Sequence, residues 1–237
     1  MDFNILNENV VNKFNNKDGS IKYAEASPFP HIIIDNLWTS HALNLVLSKF
    51  PSHNNTKLKW HIFNAENEKG KKGSKVESLY KVPLIKSFLD KCNESEVISL
   101  LENITGIQKL LPDFEYNGGG MHSTKRGGYL NIHSDFNKLD DTTYRRLNML
   151  IYLNKDWPDK YGGHLELWNK ERTACEKTVL PVFNRTVIFS TTLHSYHGHP
   201  KPCECPRDRS RKSLALYYYT KEAIPDEPTD PHSTIFI

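Results

Sequence analysis

A short stretch of the sequence places two metal-ligating side chains on one face of a predicted strand. In Tyr129–Asp135, Leu130 and Ile132 alternate with polar residues, which is the period of a half-buried strand. Residues two apart on a strand point to the same face, so His133 and Asp135 project together. An imidazole nitrogen and a carboxylate oxygen on one wall are two of the ligands that a metal ion needs. The triplet occurs often by chance, so an Asp that merely steadies a His is the simpler interpretation unless a third ligand exists.

The third ligand is available downstream, in the segment Ser195–His199. Two His and one carboxylate on one face leave the remaining positions of an octahedral iron open, as in non-haem Fe(II) oxygenases. The same alternation places Asn131 and Tyr129 beside His133, where we expect them to contact substrate or support the ligands.

A second chemical feature is an arginine at the start of a late strand, Arg211–Tyr219. In this strand Arg211, Ser213 and Tyr217 share one face, and leucines share the other. If the arginine face is the interior, the buried guanidinium needs an anion, and a bidentate carboxylate with a hydroxyl contact from Ser213 would supply it. The alternative is an exposed charge in the basic loop 207–212.

Composition excludes several classes of protein. The chain has 237 residues, 38% hydrophobic content and a formal net charge of +3, which fits one soluble globular domain and argues neither for nor against nucleic acid. No apolar run approaches a membrane span, and the N-terminus lacks the features of a cleaved signal. The four cysteines have no zinc-site spacing, so we expect reduced thiols in a cytoplasmic protein.

The sequence predicts that the first half of the chain is rich in helices. Residues 1–27 are polar, with a short lead-in strand, and a β-branched strand follows from His31. Thr39 or Ser40 is expected to cap a helix that ends before Pro51, and two more helices are predicted over 84–92 and 95–104. The polar, Gly- and Lys-rich segment 66–75 is predicted to be a mobile surface loop, either simply solvated or acting as a lid or phosphate-contacting patch.

Short strands separated by turn signals occupy the second half, which suggests a sandwich or barrel. They are predicted at 120–123, 129–134, 147–153, 164–168, 186–189 and 212–220. The tail from Ile224 is expected along the surface, with Ile235–Ile237 able to dock on an apolar patch.

Several motifs together resemble the Fe(II)/2-oxoglutarate dioxygenase superfamily, and more narrowly its prolyl 4-hydroxylase-like branch. The resemblance covers about residues 118–220, close to half of the chain. Its motifs, each short but specific in their order and spacing, are His133-x-Asp135, a distal His, Arg211-x-Ser213, the strand Leu150–Trp157, Gly162-Gly163-x-Leu165 and Phe189-Ser190. Pro28–Leu37 also resembles an N-terminal strand of that branch.

The resemblance implies a mainly β fold with flanking helices, built on a double-stranded β-helix (jelly-roll) core. It implies one domain over 1–237, with helical support over about 39–112 and the core over about 117–220. It also implies Fe(II), 2-oxoglutarate and O2, with ascorbate as a reductant, and no catalytic residue beyond the metal ligands.

The resemblance assigns the site residues as well. It implies iron ligands at His133, Asp135 and a distal His, and counting from Phe189 favours His197. It implies that Arg211 pairs with the far carboxylate of 2-oxoglutarate, with hydroxyl contacts from Tyr152 and Ser213. Tyr152 alternates with Ile151 and Leu153, so it faces the pocket or simply packs in the core.

The other candidates for contacting substrate or supporting the ligands are His122, His194, His199, Tyr129 and Asn131. The chain departs from the family pattern by an insertion at 200–208, so the arginine assignment rests on the strand that follows, with Arg209 as the fallback.

The branch implies hydroxylation of a prolyl residue in a peptide or protein, or of free proline. Alternatives are the same chemistry on a small metabolite or glycan precursor, oxidative demethylation of nucleic acid, or a non-enzymatic metal-binding barrel. The nucleic-acid alternative would use the surface cations Lys69, Lys71, Lys72, Lys75, Arg145 and Arg146. No membrane partner is expected.

Overall fold

The computed structural model describes residues 4–14, 18–225 and 227–237, and antiparallel strands dominate it. The strands are β1 (His31–Asp35), β2 (Trp60–Ala65), β3 (Glu68–Ser74), β4 (Gly120–Ser134), β5 (Lys138–Asp140), β6 (Thr143–Tyr152), β7 (Leu165–Trp168), β8 (Cys175–Val179), β9 (Arg185–Ser190), β10 (His197–His199), β11 (Ser210–Thr220) and β12 (Ile235–Phe236). The helices are α1 (Glu8–Val11), α2 (Asp18–Ala24), α3 (Ser40–Lys49), α4 (Val76–Leu79), α5 (Pro83–Cys92) and α6 (Ser95–Thr105), with 3-10 turns at Asn12–Phe14 and Asp159–Tyr161.

All twelve strands of the described residues join one curled sheet. Its main path runs β1-β9-β6-β11-β4-β10-β7-β8, while β3 and β12 also pair with β4, β2 with β3 and β5 with β6. The long strand β4 links the two walls, because its first half pairs with β11 and its second half with β10. This mainly β architecture with flanking helices confirms the predicted fold class.

Two glycines let β3 approach the middle of β4. A Cβ at Gly70 would lie 3.1 Å from Cα of Gly128, and a Cβ at Gly128 would lie 2.8 Å from the carbonyl oxygen of Lys69. Side chains at either position would force the strands apart. The β2–β3 hairpin therefore lies directly against the strand that carries His133.

Alternation along β6 and β11 separates a helix-packed face from an interior face. Leu147, Met149 and Ile151 belong to the large core cluster shared with α3, α5 and α6. Tyr152 belongs instead to a smaller cluster inside the curl, with Phe189 and neighbouring apolar residues. The interior of the curl thus holds this small apolar cluster beside polar residues such as Asn148 and Arg211. Among the helices of the described part, none has the length and apolar character of a membrane span.

The helix signals of the sequence are confirmed. The hydroxyl of Thr39 accepts a hydrogen bond from the backbone N–H of Ala42 at the start of α3, as an N-cap does. Gly106 ends α6 with φ of 74°, the left-handed conformation that glycine adopts without strain.

Two predictions for the first half are wrong. In the described part of 1–27 the chain forms α1 and α2 and, in place of a lead-in strand, only an isolated bridge between Leu6 and Trp38. The segment 66–75 contains strand β3 rather than a loop, inside the range expected to be helical support. Pairing with β2 on one side and β4 on the other overrides the weak strand preference of Lys and Gly.

The tail ends in a strand that pairs beside the predicted metal ligand. In β12, Ile235 pairs with Ser134 and Phe236 with His133. The ring centroid of Phe236 lies 5.4 Å from that of His133. This segment therefore docks by strand pairing on β4, next to the candidate site, rather than by burying its apolar side chains, since Ile235 and Ile237 stay exposed.

Candidate metal centre and adjoining pocket

Strands β4 and β10 bring three potential metal ligands together. Nε2 of His133 lies 3.7 Å from Oδ1 of Asp135, and Nε2 of His197 lies 3.4 Å from Oδ2. The three ligand atoms all lie within 4.8 Å of one another, and no other such cluster occurs among the described residues. The residues are buried, with 5–8% of their surface exposed. Cross-strand pairing of His197 with His133 sets this geometry.

Backbone carbonyls orient both histidines for metal binding. Nδ1 of His133 lies 2.9 Å from the carbonyl oxygen of Asn131, and Nδ1 of His197 lies 2.9 Å from that of Ser195. Since a carbonyl only accepts, each Nδ1 donates and each Nε2 keeps its lone pair. Burial, then the neighbouring His133, lowers the pKa of His197 to about 4, so its ring is neutral near pH 7. The donor set fits a divalent transition metal.

Arg145 and Asn148 hold the carboxylate of the cluster. Nδ2 of Asn148 donates to Oδ2 of Asp135 at 2.7 Å, and Nη2 of Arg145 lies 3.2 Å from the same oxygen. Burial acts to raise the pKa of Asp135, but the Arg145 guanidinium and the two histidines outweigh it and hold that pKa well below its usual range. Asp135 is therefore ionised and fixed in orientation before any metal binds.

Sequence reasoning missed Arg145, which it placed among surface cations. The residue is 1% exposed. Its guanidinium lies 3.6 Å from the ring centroid of Tyr217 and 4.4 Å from that of Phe136. Tyr218 pairs with Leu147 while Tyr219 pairs with Arg145, so Arg146 is an extra residue, a β-bulge. The bulge turns Arg145 to the interior face, and no pattern in the strand itself signals it.

A cavity of about 210 Å³ adjoins the cluster. Residues from β2, β3, β4, β6, β7, β10, β11 and β12 line it. The lining residues with polar or aromatic side chains include Phe63, Glu68, Lys71, His122, Thr124, His133, Asp135, Phe136, Arg145, Asn148, His197, His199, Arg211, Ser213, Tyr217 and Phe236. The interior face of β11 predicted from alternation, with Arg211, Ser213 and Tyr217, is confirmed.

Arg211 is buried in this cavity, 6% exposed, and the exposed-loop alternative is wrong. Its Nε donates to the carbonyl oxygen of Gly163 at 2.7 Å, and its Nη2 donates to the hydroxyl of Tyr152 at 3.3 Å. Among the described residues no carboxylate lies within 4.0 Å of the guanidinium, as the ion pairs of that part show. A buried guanidinium held by two neutral groups is suited to an anionic ligand.

Tyr152 combines the two roles expected for it. Its ring packs in the interior cluster, and it does not line the cavity. Its hydroxyl nevertheless reaches Arg211, and burial raises its pKa, so the hydroxyl stays protonated. Ser213 is buried opposite Tyr152 in the strand register and lines the cavity.

The insertion after His197 packs over Arg211. A Cβ at Gly163 would lie 2.9 Å from Cδ of Arg211 and 2.9 Å from Sγ of Cys203, so this approach requires glycine. The alternative assignment of Arg209 as the anion-binding arginine is wrong. Its side chain donates to the carbonyl oxygens of Lys155 and Asp156 outside the cavity. Position 209 precedes β11, so strand alternation does not apply to it.

The side chains of Tyr129 and Asn131 do not line the cavity, contrary to expectation. Their polar groups bind the β2–β3 turn, with the Tyr129 hydroxyl on the Glu66 carbonyl and the Asn131 amide on the Asn67 side chain. Between the paired positions, two residues of β4 (Asn131 and Ile132) lie opposite one residue of β10 (Gly198), and this register shift brings Leu130 into the cavity instead. Asn131 supports the cluster only through its carbonyl oxygen.

The remaining histidines separate into two groups. His122 and His199 line the cavity, and burial followed by the nearby cations Lys71 and Arg211 lowers both pKa values, that of His122 to about 3. Nδ1 of His199 has no hydrogen-bond partner among the described residues. His194 is half-buried in the loop before β10 and does not line the cavity.

The family match covers the region of the chain that contains the candidate site. The model of the 2OG-Fe(II) oxygenase superfamily matches residues 119–219, which include the three clustered ligands and Arg211. A comparison with curated protein sequences finds no significant match.

Solved structures share the fold over most of the chain. A prolyl hydroxylase from Trichoplax adhaerens, in complex with a peptide fragment of the hypoxia inducible factor oxygen degradation domain, is 18% identical, with 90% of this chain and 93% of that one covered and a TM-score of 0.63. A Pseudomonas putida prolyl-4-hydroxylase is 14% identical, with 86% and 98% covered and a TM-score of 0.57. HygX from Streptomyces hygroscopicus, solved with nickel, 2-oxoglutarate and hygromycin B bound, is 11% identical, with 80% and 82% covered and a TM-score of 0.52.

Proposed function

Because this chain belongs to the 2OG-Fe(II) oxygenase superfamily and is an enzyme that uses Fe(II) and 2-oxoglutarate, we propose that it hydroxylates a C–H bond of a prolyl residue in a peptide or protein, or of free proline. The observation that carries the proposal is one cavity that contains both the His133, Asp135 and His197 cluster and the Arg211 guanidinium. The cluster fits iron, and the guanidinium fits the far carboxylate of a dicarboxylate cosubstrate.

Each residue has a defined part in this proposal. His133, Asp135 and His197 would hold the metal, and this donor set suits Fe(II). Arg211 would bind the distal carboxylate of 2-oxoglutarate, and the protonated hydroxyl of Tyr152 would donate to the same group, with Ser213 beside it. When bound, the iron and 2-oxoglutarate would supply the oxidising chemistry, in which O2 gives one oxygen atom to the substrate and one to succinate while CO2 leaves.

The protein itself positions and shields the reacting groups. Arg145 and Asn148 keep the Asp135 carboxylate ionised and aimed at the metal position. The rings of Phe136, Tyr217 and Phe236 line the cavity and give it an apolar surface. None of these residues has to donate or accept a proton in the reaction, so no catalytic group beyond the metal ligands is proposed.

The choice of a prolyl substrate rests on the fold shared with prolyl hydroxylases. HygX, solved with hygromycin B, favours a second candidate, oxidation of a small metabolite by the same chemistry. Nucleic acid has less support, because Arg145 and Lys71 of the basic residues considered for it line the cavity instead of an outer surface.

Two further proposals concern the whole chain. We expect residues 1–237 to be a single oxygenase domain, supported by the one sheet that unites the strands of the described part. A cytoplasmic location stays a prediction, and the four free cysteines are its support.

The test is succinate formation from 2-oxoglutarate with added Fe(II) and ascorbate, first alone and then with proline-containing peptides and free proline. We expect turnover in the wild type, loss in His133→Ala, and no change in the control His41→Ala, which alters an exposed histidine on α3. If the wild type neither turns over nor binds 2-oxoglutarate, the proposal is wrong.

A further inference from the structure

An ion pair from the β2–β3 hairpin lines the same cavity as the metal cluster. Nζ of Lys71 lies 3.2 Å from Oε2 of Glu68, and their side chains are only 12% and 18% exposed. Their partners in the strand register, Thr124 and Leu130, also line the cavity. Asp135 and Arg211 are both close enough to Lys71 for their charges to affect the pKa of the lysine. Burial is the main effect and lowers this pKa, whereas Glu68 raises it. Lys71 therefore lies near both the metal cluster and the guanidinium.

A largely buried ion pair is a weak means of stabilising the hairpin. A pair removed from water costs desolvation that its mutual attraction only partly offsets, and apolar residues of similar size stabilise a fold at least as well. Strand β3 carries two other lysines, Lys69 and Lys72. Lys69 is exposed, and Lys72 donates to the carbonyl oxygen of His53 outside the cavity. Of these three lysines, Lys71 is the one that enters the cavity.

The charges of the cavity indicate what a substrate must carry. The charged lining residues are three cations, Lys71, Arg145 and Arg211, and two anions, Glu68 and Asp135. A divalent metal and dianionic 2-oxoglutarate cancel each other, so the loaded cavity keeps one net positive charge. A net cation is disfavoured there, whereas a substrate that includes a carboxylate is favoured.

Resting on the function proposed above, we infer that the substrate is a free amino or imino acid, whose carboxylate binds Lys71 and whose ammonium group binds Glu68. An ammonium group has three donors and a carboxylate has several acceptor positions, so each member of the pair can keep its partner and bind the substrate too. The lysine ammonium lies 4.3 Å from the ring centroid of Phe63, which holds it in place and offers an apolar surface to the substrate.

A residue inside a peptide matches this lining less well. Its neutral amide groups would take water from Lys71 and Glu68 without supplying opposite charges. A free amino acid supplies both charges close together, arranged antiparallel to the pair.

Binding and turnover should be measured on the same protein. Calorimetry on the protein with Mn(II) and 2-oxoglutarate bound would give the affinity for free L-proline and for its N-acetyl amide. The same two forms of each other amino acid would then be compared. Substrate-stimulated succinate formation with Fe(II) would give kcat/KM for the same compounds. The variants are K71M, E68Q and the double variant K71M/E68Q, which leaves no unpaired buried ion, with K69M as the exposed control.

We expect at least one free amino acid to bind and to stimulate succinate formation, and its blocked form to do neither. The double variant should lower that affinity and kcat/KM by about tenfold or more, since hydrogen bonds to charged groups are lost. The double variant should bind 2-oxoglutarate as tightly as the wild type does. K69M should match the wild type in both amino-acid affinity and kcat/KM. The inference is overturned if blocked or peptide forms are used as well as free ones, if K71M/E68Q and K69M behave alike, or if no free amino acid binds. In each of those cases intact 2-oxoglutarate binding leaves the oxygenase proposal standing, whereas its absence in the wild type would refute both.

Discussion

Replacing Arg145 by methionine should destabilise the metal-free protein far more than the metal-loaded one. In the metal-free state the guanidinium is the fixed cation beside the buried Asp135, at 3.2 Å from Oδ2, and it also donates to Oδ1 of Asn148 at 3.1 and 2.7 Å. Removing one partner of a buried pair costs about 3–5 kcal/mol because the other charge is left uncompensated. For a chain of this size that is a fall in Tm of about 6–20 °C.

A bound divalent metal changes this result in a predictable way. It gives Asp135 another cationic partner, so the remaining loss is that of the stacking of Arg145 on Tyr217 and Phe136. Such cation–π contacts contribute about 0.5–2 kcal/mol each, from exposed to desolvated sites. For the two contacts together, we expect the destabilisation by R145M to shrink to about 1–4 kcal/mol with saturating Mn(II).

The assay is urea unfolding of the wild type, R145M, R145K and R146M, each with EDTA and with Mn(II). R145K keeps the charge but loses the planar fork, so its loss should be intermediate. R146M removes the neighbouring arginine, which does not line the cavity, and should change stability little. The reasoning would be refuted if R145M lost the same free energy with and without metal, or no more than R146M in EDTA.

Three other changes have defined outcomes. Arg211→Met should weaken 2-oxoglutarate binding by about 30-fold or more in calorimetry, as expected for loss of a desolvated charge pair, while Mn(II) affinity stays the same; equal loss of both would contradict the assigned role. Gly163→Ala should lower stability by about 1–3 kcal/mol more than Gly127→Ala, because both glycines have positive φ but only the first has Arg211 and Cys203 within 3 Å of an added Cβ. In the metal-free protein the His197 ring should titrate near pH 4 by NMR. Because the unfolded chain binds that proton near pH 6.5, the contribution of His197 to stability falls as the pH drops from about 6.5 to about 4. A titration midpoint near pH 6.5 in the folded protein would contradict the burial argument.

Strand alternation was sufficient for the part of the site that lies on regular strands. His133 and Asp135 share a face, as do Arg211 and Ser213, because the period of two holds over each short stretch. The same rule failed where the register shifts. Two residues of β4 lie opposite one residue of β10, which turns the Asn131 side chain away from the cavity.

Arg145 and the β2–β3 hairpin could not be predicted, for two different physical reasons. The bulge at Arg146 depends on how β6 pairs with β11, which is a tertiary property. The segment that carries Glu68 and Lys71 has the composition of a loop, and only pairing on both sides makes it a strand. Local sequence contains neither kind of information.

A crystal structure with Mn(II) and 2-oxoglutarate, combined with anomalous diffraction, would test the central claim most directly. The account predicts one Mn(II) bound by Nε2 of His133, Nε2 of His197 and a carboxylate oxygen of Asp135. It also predicts that the far carboxylate of 2-oxoglutarate contacts the Arg211 guanidinium and the Tyr152 hydroxyl. Metal bound elsewhere, or 2-oxoglutarate directed away from Arg211, would contradict it.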